Sequence, residues 1–259
     1  MKQCEQAENS NQSSAVGDCR LSAEVFQQPL PQIREIKIPK FSHVDHADGS
    51  ATITDSVGLK LEILPGVSER TRNEVEFASL QMPEGLRKSM ADAGIPVIVA
   101  NSMADLNPAL KGKALPASDK SDTRKTWDEV GAAFFDDKDW NFIGRTAVVV
   151  TPEYLDAMPH EGAHALDDIL GRPSLTPAFR ALWAADLKNA AEHKIPIRPY
   201  LAQPGDRGVE ETFAEVYEAV TAPMPNAKDA EVLRTFPSVA EYMRKLLASK
   251  SDATSPSQK

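Results

Sequence analysis

The sequence predicts an α+β protein with one main domain, in which the strands come early in the chain and the helices late. Two observations support this prediction. Residues 34–41 and 51–64 alternate apolar and polar side chains, and apolar β-branched runs follow at 95–101 and 145–152. After residue 158, apolar residues recur at helical spacing, and prolines and glycines mark successive helix ends.

Taken in order, the first elements are short strands on either side of a turn at Asp48-Gly49. A helix is predicted over 83–94, with a proline at its start and Gly94 as its stop, and a buried strand over 95–101 follows. The segment 102–125 has the composition of a loop, and 126–135 and 145–152 complete the strand-rich half. Helices are predicted over 158–171, 176–194, 209–220 and 239–249.

The domain boundaries follow from composition. Residues 1–22 are polar and are predicted to be disordered, as is the tail 249–259. Residues 23–57 are predicted to form a strand-rich extension, and residues 58–248 the main domain. Cys4 and Cys19 lie in the polar N-terminal segment, where they are either two inert thiols or a pair in an oxidising compartment.

The charge of the chain excludes some classes of partner. The 29 basic and 38 acidic residues give a net charge of −9, which repels phosphate backbones and argues against nucleic acid. No stretch reaches the roughly 20 apolar residues that a membrane span requires. The first residues also lack the apolar core of a secretory signal peptide, so an exported protein would use another route or would have lost a leader. The sequence does not determine the oligomeric state.

One motif has the residue types and the spacing of a catalytic metal site. The stretch MPHEGAHALDDILG, residues 158–171, places His160 and His164 one turn apart on a single helix face. Two imidazoles in this arrangement can bind one ion, and a hydrolytic zinc site needs a third protein ligand and an open position. Glu161 lies about 100° around the helix from His160, beside the ion, where it could accept a proton from the attacking water.

The alternative is a helix whose histidines face solvent or satisfy hydrogen bonds in the core. An H-E-x-x-H match arises by chance in roughly one such chain in a hundred. Gly162 argues mildly against a metal-binding helix, because an interior glycine costs about 1 kcal/mol relative to alanine. A close approach of metal or substrate to the backbone would explain it, in which case alanine at 162 should disturb activity more than folding.

The third ligand has several acidic candidates. Glu192 and His193 end one predicted helix, and Glu210, Glu211 and Glu215 lie on the next. Glu211 and Glu215 are four residues apart, so both can face the histidine helix, whereas Glu210 points about 100° away. One of the two would bind the metal and the other would orient a histidine. The spacing alone does not decide between them.

Two stretches resemble a known family. HEGAHALDDILG is similar to the active-site helix of the anthrax lethal factor family, which includes secreted Pro-Pro endopeptidases, and EETFAEVYEA resembles its third-ligand helix. The resemblance covers residues 58–248. It implies a zincin-like metallopeptidase domain, with a small mixed sheet packed on the active-site helix. It also implies that Glu211 is the zinc ligand, that Glu215 has a supporting role, and that Asp168 lies near the site.

One position departs from the family pattern. A tyrosine seven residues before the third ligand steadies the oxyanion in that family, and this chain has Pro204 there. Tyr200 lies in the same proline-rich loop and is the candidate replacement; its alternative is a packed loop aromatic. A second polar group, His43, Asp45 and His46, could bind a metal, although a polar turn between strands explains it more simply.

The sequence therefore predicts a zinc endopeptidase in which His160, His164 and Glu211 hold Zn²⁺, Glu161 is the general base and Tyr200 supports the oxyanion. We expect an extended peptide substrate to pair with the edge of the sheet beside residues 146–151. The resemblance further implies a secreted toxin or effector. The alternatives are a zincin-fold binding module with weak or no catalysis, which Pro204 and Gly162 favour, and a zinc hydrolase of non-peptide amides.

Overall fold

The computed structural model of the protein describes residues 40–115, 126–136 and 143–253. Within these residues the chain forms a mixed six-stranded sheet in the order β1-β2-β3-β4-β6-β5. The strands are β1 (Ser42–Asp45), β2 (Ala51–Thr54), β3 (Lys60–Ile63), β4 (Val97–Val99), β5 (Ala132–Phe135) and β6 (Ala147–Val150). The mixed α+β architecture predicted from the sequence is confirmed.

The sheet joins an antiparallel half to a parallel centre. Strands β1, β2 and β3 pair antiparallel, β3, β4 and β6 pair parallel, and β5 pairs antiparallel with β6. The predicted turn at Asp48-Gly49 connects β1 to β2, with Gly49 at φ 85°. Strand β6 lies in the interior of the sheet, so the edge beside it is β5.

The helices mostly follow β4 and pack on the sheet. They are α1 (Glu69–Ser79), α2 (Glu84–Asp92), α3 (Met103–Leu106), α4 (Met158–Ile169), α5 (Pro177–Glu192), α6 (Arg207–Thr221), α7 (Ala227–Thr235) and α8 (Pro237–Ala253). The sequence predicted α2, α4, α5, α6 and α8, but not α1 or α7. The loop expected over 102–125 is corrected in its described part, which contains α3 and a 3₁₀ turn at Pro108–Leu110.

The sheet does not break at the expected domain boundary. Strand β2 pairs with β3, so strands on both sides of residue 57 belong to one sheet. At the other end, α8 continues to Ala253, past residue 249, where a disordered tail was expected to begin. The predictions for residues 1–22, for 23–39 and for the two cysteines lie outside the described residues.

The core fills both faces of the central strands. Because side chains alternate along a strand, Val97, Val99, Val148 and Val150 face one way, and they join the main hydrophobic cluster with α2, α4 and α6. Ile98 and its neighbours on the other face form a second cluster with Trp127 and Phe135. Burial on both faces is typical of parallel strands. Among the described residues, no helix is both long and apolar enough to cross a membrane.

Candidate metal centre

Helix α4 follows the central strand β6 and contains the histidine motif, whose two histidines line a cleft. A 3₁₀ segment at Pro152–Ala157 leads out of β6, and Pro159 occupies the first turn of α4, where its missing N–H has no helical partner to lose. The helix closes as the sequence predicted, since Gly171 adopts φ 78° and donates to the Asp168 carbonyl at 2.9 Å. Packing against α2 and α6 holds α4 in the middle of the helical layer.

The three predicted metal ligands come together. Glu211 Oε2 on α6 lies 3.2 Å from His160 Nε2 and 3.9 Å from His164 Nε2. The two imidazole rings are 4.9 Å apart between centroids and nearly perpendicular. One ligand atom from each of the three residues lies within 4.8 Å of the other two. Two nitrogens and one carboxylate oxygen at this spacing fit the donor set that zinc takes in hydrolytic sites.

The two histidines differ in their electrostatic surroundings, although each side chain is 17% exposed. Burial lowers the pKa of His160, but the hydrogen bond and charge of Glu211, with the charges of Glu161 and Glu215, outweigh burial and raise this pKa to about 9. Burial dominates at His164 and lowers its pKa to about 4. The carboxylate of Glu211 is thus the strongest favourable partner of both rings.

A carboxylate pair lies behind His160, on the side away from Glu211. Glu215 Oε1 is 3.7 Å and Glu218 Oε2 is 3.9 Å from His160 Nδ1. Lys228 Nζ, from the N-terminal turn of α7, approaches these same two oxygens at 3.1 and 3.6 Å. Glu218 Oε2 is buried and has no hydrogen-bond partner among the described residues. The imidazole of His160 therefore has a carboxylate facing each of its nitrogens.

Glu218 and Lys228 were not predicted as site residues. A signal existed for Glu218, which follows Glu211 by seven residues and Glu215 by three, so all three share one helix face. No spacing pointed to Lys228, because it reaches the site from a helix that was not predicted.

Tyr200 lies in the 3₁₀ turn Pro199–Ala202 and lines the same cleft. Its hydroxyl donates to Glu215 Oε1 at 2.5 Å and lies 3.5 Å from Arg198 Nη1. Burial and the charge of Glu215 both raise the pKa of this phenol, so it stays protonated. The predicted oxyanion role requires this hydroxyl to turn from Glu215 toward a substrate, and it stays a prediction.

Asp168 is bonded to Arg172 rather than to a histidine. Arg172 Nε donates to Asp168 Oδ1 at 3.2 Å, and the same guanidinium pairs with Asp136 at the end of β5. The neighbouring carboxylate, Asp167, is buried and accepts from the Ser174 backbone N–H at 3.0 Å. Asp168 thus lines the cleft and is linked through Arg172 to the residue that follows β5, and its supporting role at the site stays a prediction.

Gly162 faces α2 and not the metal ligands, which corrects the sequence-based explanation of this glycine. A Cβ at position 162 would lie 3.0 Å from Leu86 Cδ2 and 3.2 Å from Met82 Sδ. The close approach is therefore between α4 and the helix beneath it, and no expectation about metal or substrate follows from this residue.

The polar group near the N-terminus does not converge. His43 Nε2 pairs with Glu76 at 2.9 Å, and His46 Nε2 bonds to Thr52 Oγ1 at 3.0 Å. Asp45 lies 3.4 Å from Arg72. Among the described residues, the candidate metal-binding groups all contain His160, so these three residues fit the simpler explanation of a polar turn.

A cleft of about 1290 Å³ surrounds the candidate centre. Edge strand β5 forms one side, and α4 and α6 contribute the histidines, Glu161 and Glu211. Glu161 is partly buried and lines the cleft beside the ligand group, where sequence spacing predicted it. The arrangement can hold a divalent cation next to a carboxylate and beside β5, which is an edge strand among the described residues.

No known family profile and no curated protein matches this sequence. The structure is similar to a solved structure, the Pro-Pro endopeptidase PPEP-2 from Paenibacillus alvei. The TM-score is 0.51 with 19% sequence identity, over 72% of this chain and 96% of the endopeptidase chain. At this identity the likeness concerns the fold, and this chain shares its α+β fold with a peptidase.

Proposed function

We propose that the protein is a zinc-dependent endopeptidase of the lethal factor-like type. The main support for this proposal is geometric. One ligand atom from each of His160, His164 and Glu211 lies within 4.8 Å of the other two, in a cleft that Glu161 also lines. These residues come from helices that lie about fifty positions apart in the chain. The shared fold with a Pro-Pro endopeptidase supports the same proposal.

His160 and His164 through their Nε2 atoms, and Glu211 through Oε2, would hold the ion. Bound there, zinc would supply a Lewis acid for the scissile carbonyl and lower the pKa of water toward about 7. Glu161 would take the proton of the attacking water and later give it to the leaving amine. Tyr200 is the candidate donor to the oxyanion, since its raised pKa keeps the phenol protonated.

Glu215 and Glu218 would act on His160 from behind. With Nε2 turned to the metal, Nδ1 of His160 lies 3.7 and 3.9 Å from two carboxylate oxygens, beyond direct hydrogen-bond distance. A carboxylate that moved to hydrogen-bond distance of Nδ1 would fix the tautomer and the orientation of the ligand imidazole. Lys228 balances part of the negative charge of the pair and keeps both side chains near the ring.

The peptide would lie extended along β5. This strand is an edge of the sheet among the described residues, it lines the cleft, and an edge strand can pair with another backbone. A scissile bond held straight in this way passes alongside α4. The edge beside β6 that the sequence singled out is thus provided by β5.

The test combines metal content with cleavage. We expect the purified protein to contain one zinc ion per chain by mass spectrometry and to cleave members of a mixed peptide library. The Glu161→Gln variant should keep the zinc and lose at least a hundredfold in kcat/KM. Glu241→Gln, which changes an exposed carboxylate on α8, should behave like the wild type.

A different result would favour the alternative. If the wild type and Glu161→Gln both bind zinc and are equally inactive on the library, the protein is a binding module built on this fold. If the wild type binds no zinc, the proposed site is wrong.

A further inference from the structure

Tyr154 is an exposed aromatic residue in the cleft that the proposed mechanism does not use. It lies in the segment between β6 and α4 and is 47% exposed. The exposed large hydrophobic residues of the described chain are Val44, Phe77, Tyr154 and Met224, and among these Tyr154 alone lines the cleft. An aromatic ring on the wall of a ligand cleft has apolar surface available for binding.

The backbone of Gly131 makes room for this ring. A Cβ at position 131 would lie only 2.0 Å from Cδ2 and 2.3 Å from Cγ of Tyr154. Any other residue at 131 would push the ring away. Gly131 does not have a positive φ, so no left-handed conformation explains the glycine. Its missing side chain is explained by the ring that packs on it.

Local hydrogen bonds fix the two segments relative to each other. The Thr151 N–H donates to the Gly131 carbonyl at 2.7 Å, and the Tyr154 N–H donates to the Thr151 carbonyl at 2.9 Å. Tyr154 also leaves the surrounding 3₁₀ geometry, with φ −128° and ψ 28°. The ring is therefore held against the backbone at one end of β5, and its outer face remains open to the cleft.

We propose that Tyr154, seated on Gly131, forms an apolar subsite that binds an apolar side chain of the substrate peptide; this inference rests on the proposed endopeptidase function. A peptide paired with β5 passes Gly131, which directly precedes the strand. Trp127 and Val130 also line this cleft, but both are largely buried, so the exposed aromatic ring here is that of Tyr154. A flat ring packs best on apolar side chains, those of proline, leucine and phenylalanine included.

The residues beside the opposite end of β5 are charged and not aromatic, so the two ends of the cleft differ in polarity. Asp136 and Arg172 form an ion pair there, so charged groups face that part of a bound peptide. We therefore expect the apolar preference at one substrate position, next to Tyr154, and not along the whole peptide.

The cleavage experiment uses four variants: Tyr154→Ala, Tyr154→Phe, Gly131→Ala and the double variant Gly131→Ala/Tyr154→Ala. Mass spectrometry of library products gives the preference at each position around the cleaved bond. Tyr154→Ala should lose about ten- to a hundredfold in kcat/KM for peptides with an apolar residue at one position. Tyr154→Phe should stay within about threefold of the wild type, because the ring is kept.

Gly131→Ala should reproduce the loss, since its methyl group displaces the ring. If that overlap also lowers the melting temperature, the double variant should recover it, because the smaller side chain at 154 removes the clash. The double variant should be no less active than Tyr154→Ala alone. Additive losses in the double variant would overturn the proposed link between the two residues.

A binding measurement separates this inference from the proposed function. Zinc-loaded Glu161→Gln, with and without Tyr154→Ala, is titrated into two pools of fluorescein-labelled decapeptides and followed by anisotropy. One pool is randomised over Pro, Leu, Phe and Ala, the other over Ser, Thr, Asn and Gly. We expect the apolar pool to bind about tenfold more weakly without the ring, and the polar pool to be unaffected.

The outcomes are distinct. Binding that depends on Tyr154, in a protein whose wild type cleaves no peptide, supports the subsite and overturns the endopeptidase. Cleavage with the same positional preference in the wild type and in Tyr154→Ala overturns the subsite and leaves the endopeptidase intact. Equal binding of the apolar pool with and without the ring also overturns the subsite.

Discussion

At the scale of single residues, the choice between Glu211 and Glu215 depends on which end of an imidazole each carboxylate faces. Both glutamates lie on one face of α6, as their spacing predicted. Glu211 Oε2 lies 3.2 Å from His160 Nε2, whereas Glu215 Oε1 lies 3.7 Å from Nδ1 of the same ring. Sequence spacing fixes the face of a helix but not the rotation of the partner ring, so it could not decide between them.

Three glutamine variants on α6 test this assignment. Glu211→Gln should weaken zinc binding by at least about a hundredfold, because it removes a charged ligand. Glu215→Gln should weaken binding by about tenfold to a hundredfold through His160. Glu210→Gln serves as the matched control and should change zinc affinity by less than about threefold, because Glu210 is not one of the grouped donors. Competition with a fluorescent chelator measures all three, and an equal effect of Glu210→Gln and Glu211→Gln would contradict the ligand set.

Tyr200 can serve either the oxyanion or Glu215, and removing only its hydroxyl distinguishes the two. As a donor to the oxyanion, Tyr200→Phe should lower kcat by about a hundred- to a thousandfold with zinc affinity nearly unchanged. Steady-state kinetics with chelator competition on the same samples measures both quantities. A loss of zinc affinity with little loss of kcat at saturating zinc would show instead that the phenol only positions Glu215, to which it donates in this structure.

At the scale of elements, α4 is positioned by its contact with α2 at Gly162. Gly162→Val should lower the free energy of unfolding by about 1–3 kcal/mol, because the added atoms overlap with Leu86 and Met82. Chemical denaturation of the metal-free protein measures this loss. We expect the folded variant to keep its zinc affinity within about threefold.

A smaller side chain at position 86 on the neighbouring helix provides the control. In a Leu86→Ala background, where the nearest contact is gone, Gly162→Val should cost less than in the wild type. An unchanged unfolding free energy for the single variant, combined with a loss of activity, would restore the sequence-based expectation that the glycine serves the site.

Helices and strands could be predicted from the sequence where a regular pattern of apolar residues marks their buried face. Helices α4 and α6 have both apolar spacing and clear ends. Helix α7 is different, because Val232 is its one buried hydrophobic residue and its start depends on the capping pair Asn226 and Asp229. A short polar helix of this kind has almost no hydrophobic periodicity, yet it delivers Lys228 to the candidate centre.

At the scale of the whole molecule, the strand order decides which strand borders the cleft. Strand β6 follows β5 in the chain but lies between β4 and β5 in the sheet. Alternation and β-branched content predict that a strand exists and which faces are buried, but they do not specify its neighbours. The sequence could therefore locate the sheet edge near β6 without identifying β5 as the strand that forms it.

The sheet is joined to the helices beneath the centre by a buried ion pair, Asp55 with Arg87. Asp55 follows β2 and accepts backbone N–H groups of Val57 and Leu59, each at 2.9 Å, and Arg87 is on α2. Their side chains are 0% and 5% exposed. Because α2 also supports α4, this pair connects the antiparallel half of the sheet to the helix that carries the histidines.

Breaking this pair from one side should be costly. Arg87→Met leaves the Asp55 carboxylate buried without its cation, and we expect the free energy of unfolding to fall by about 3–5 kcal/mol. The double variant Asp55→Ala/Arg87→Met removes both charges and should lose less than the sum of the single variants, as a coupled pair requires. Urea denaturation of the metal-free proteins measures the four free energies. Strict additivity would mean that the two side chains do not interact, and that the sheet and α2 are held together by apolar packing alone.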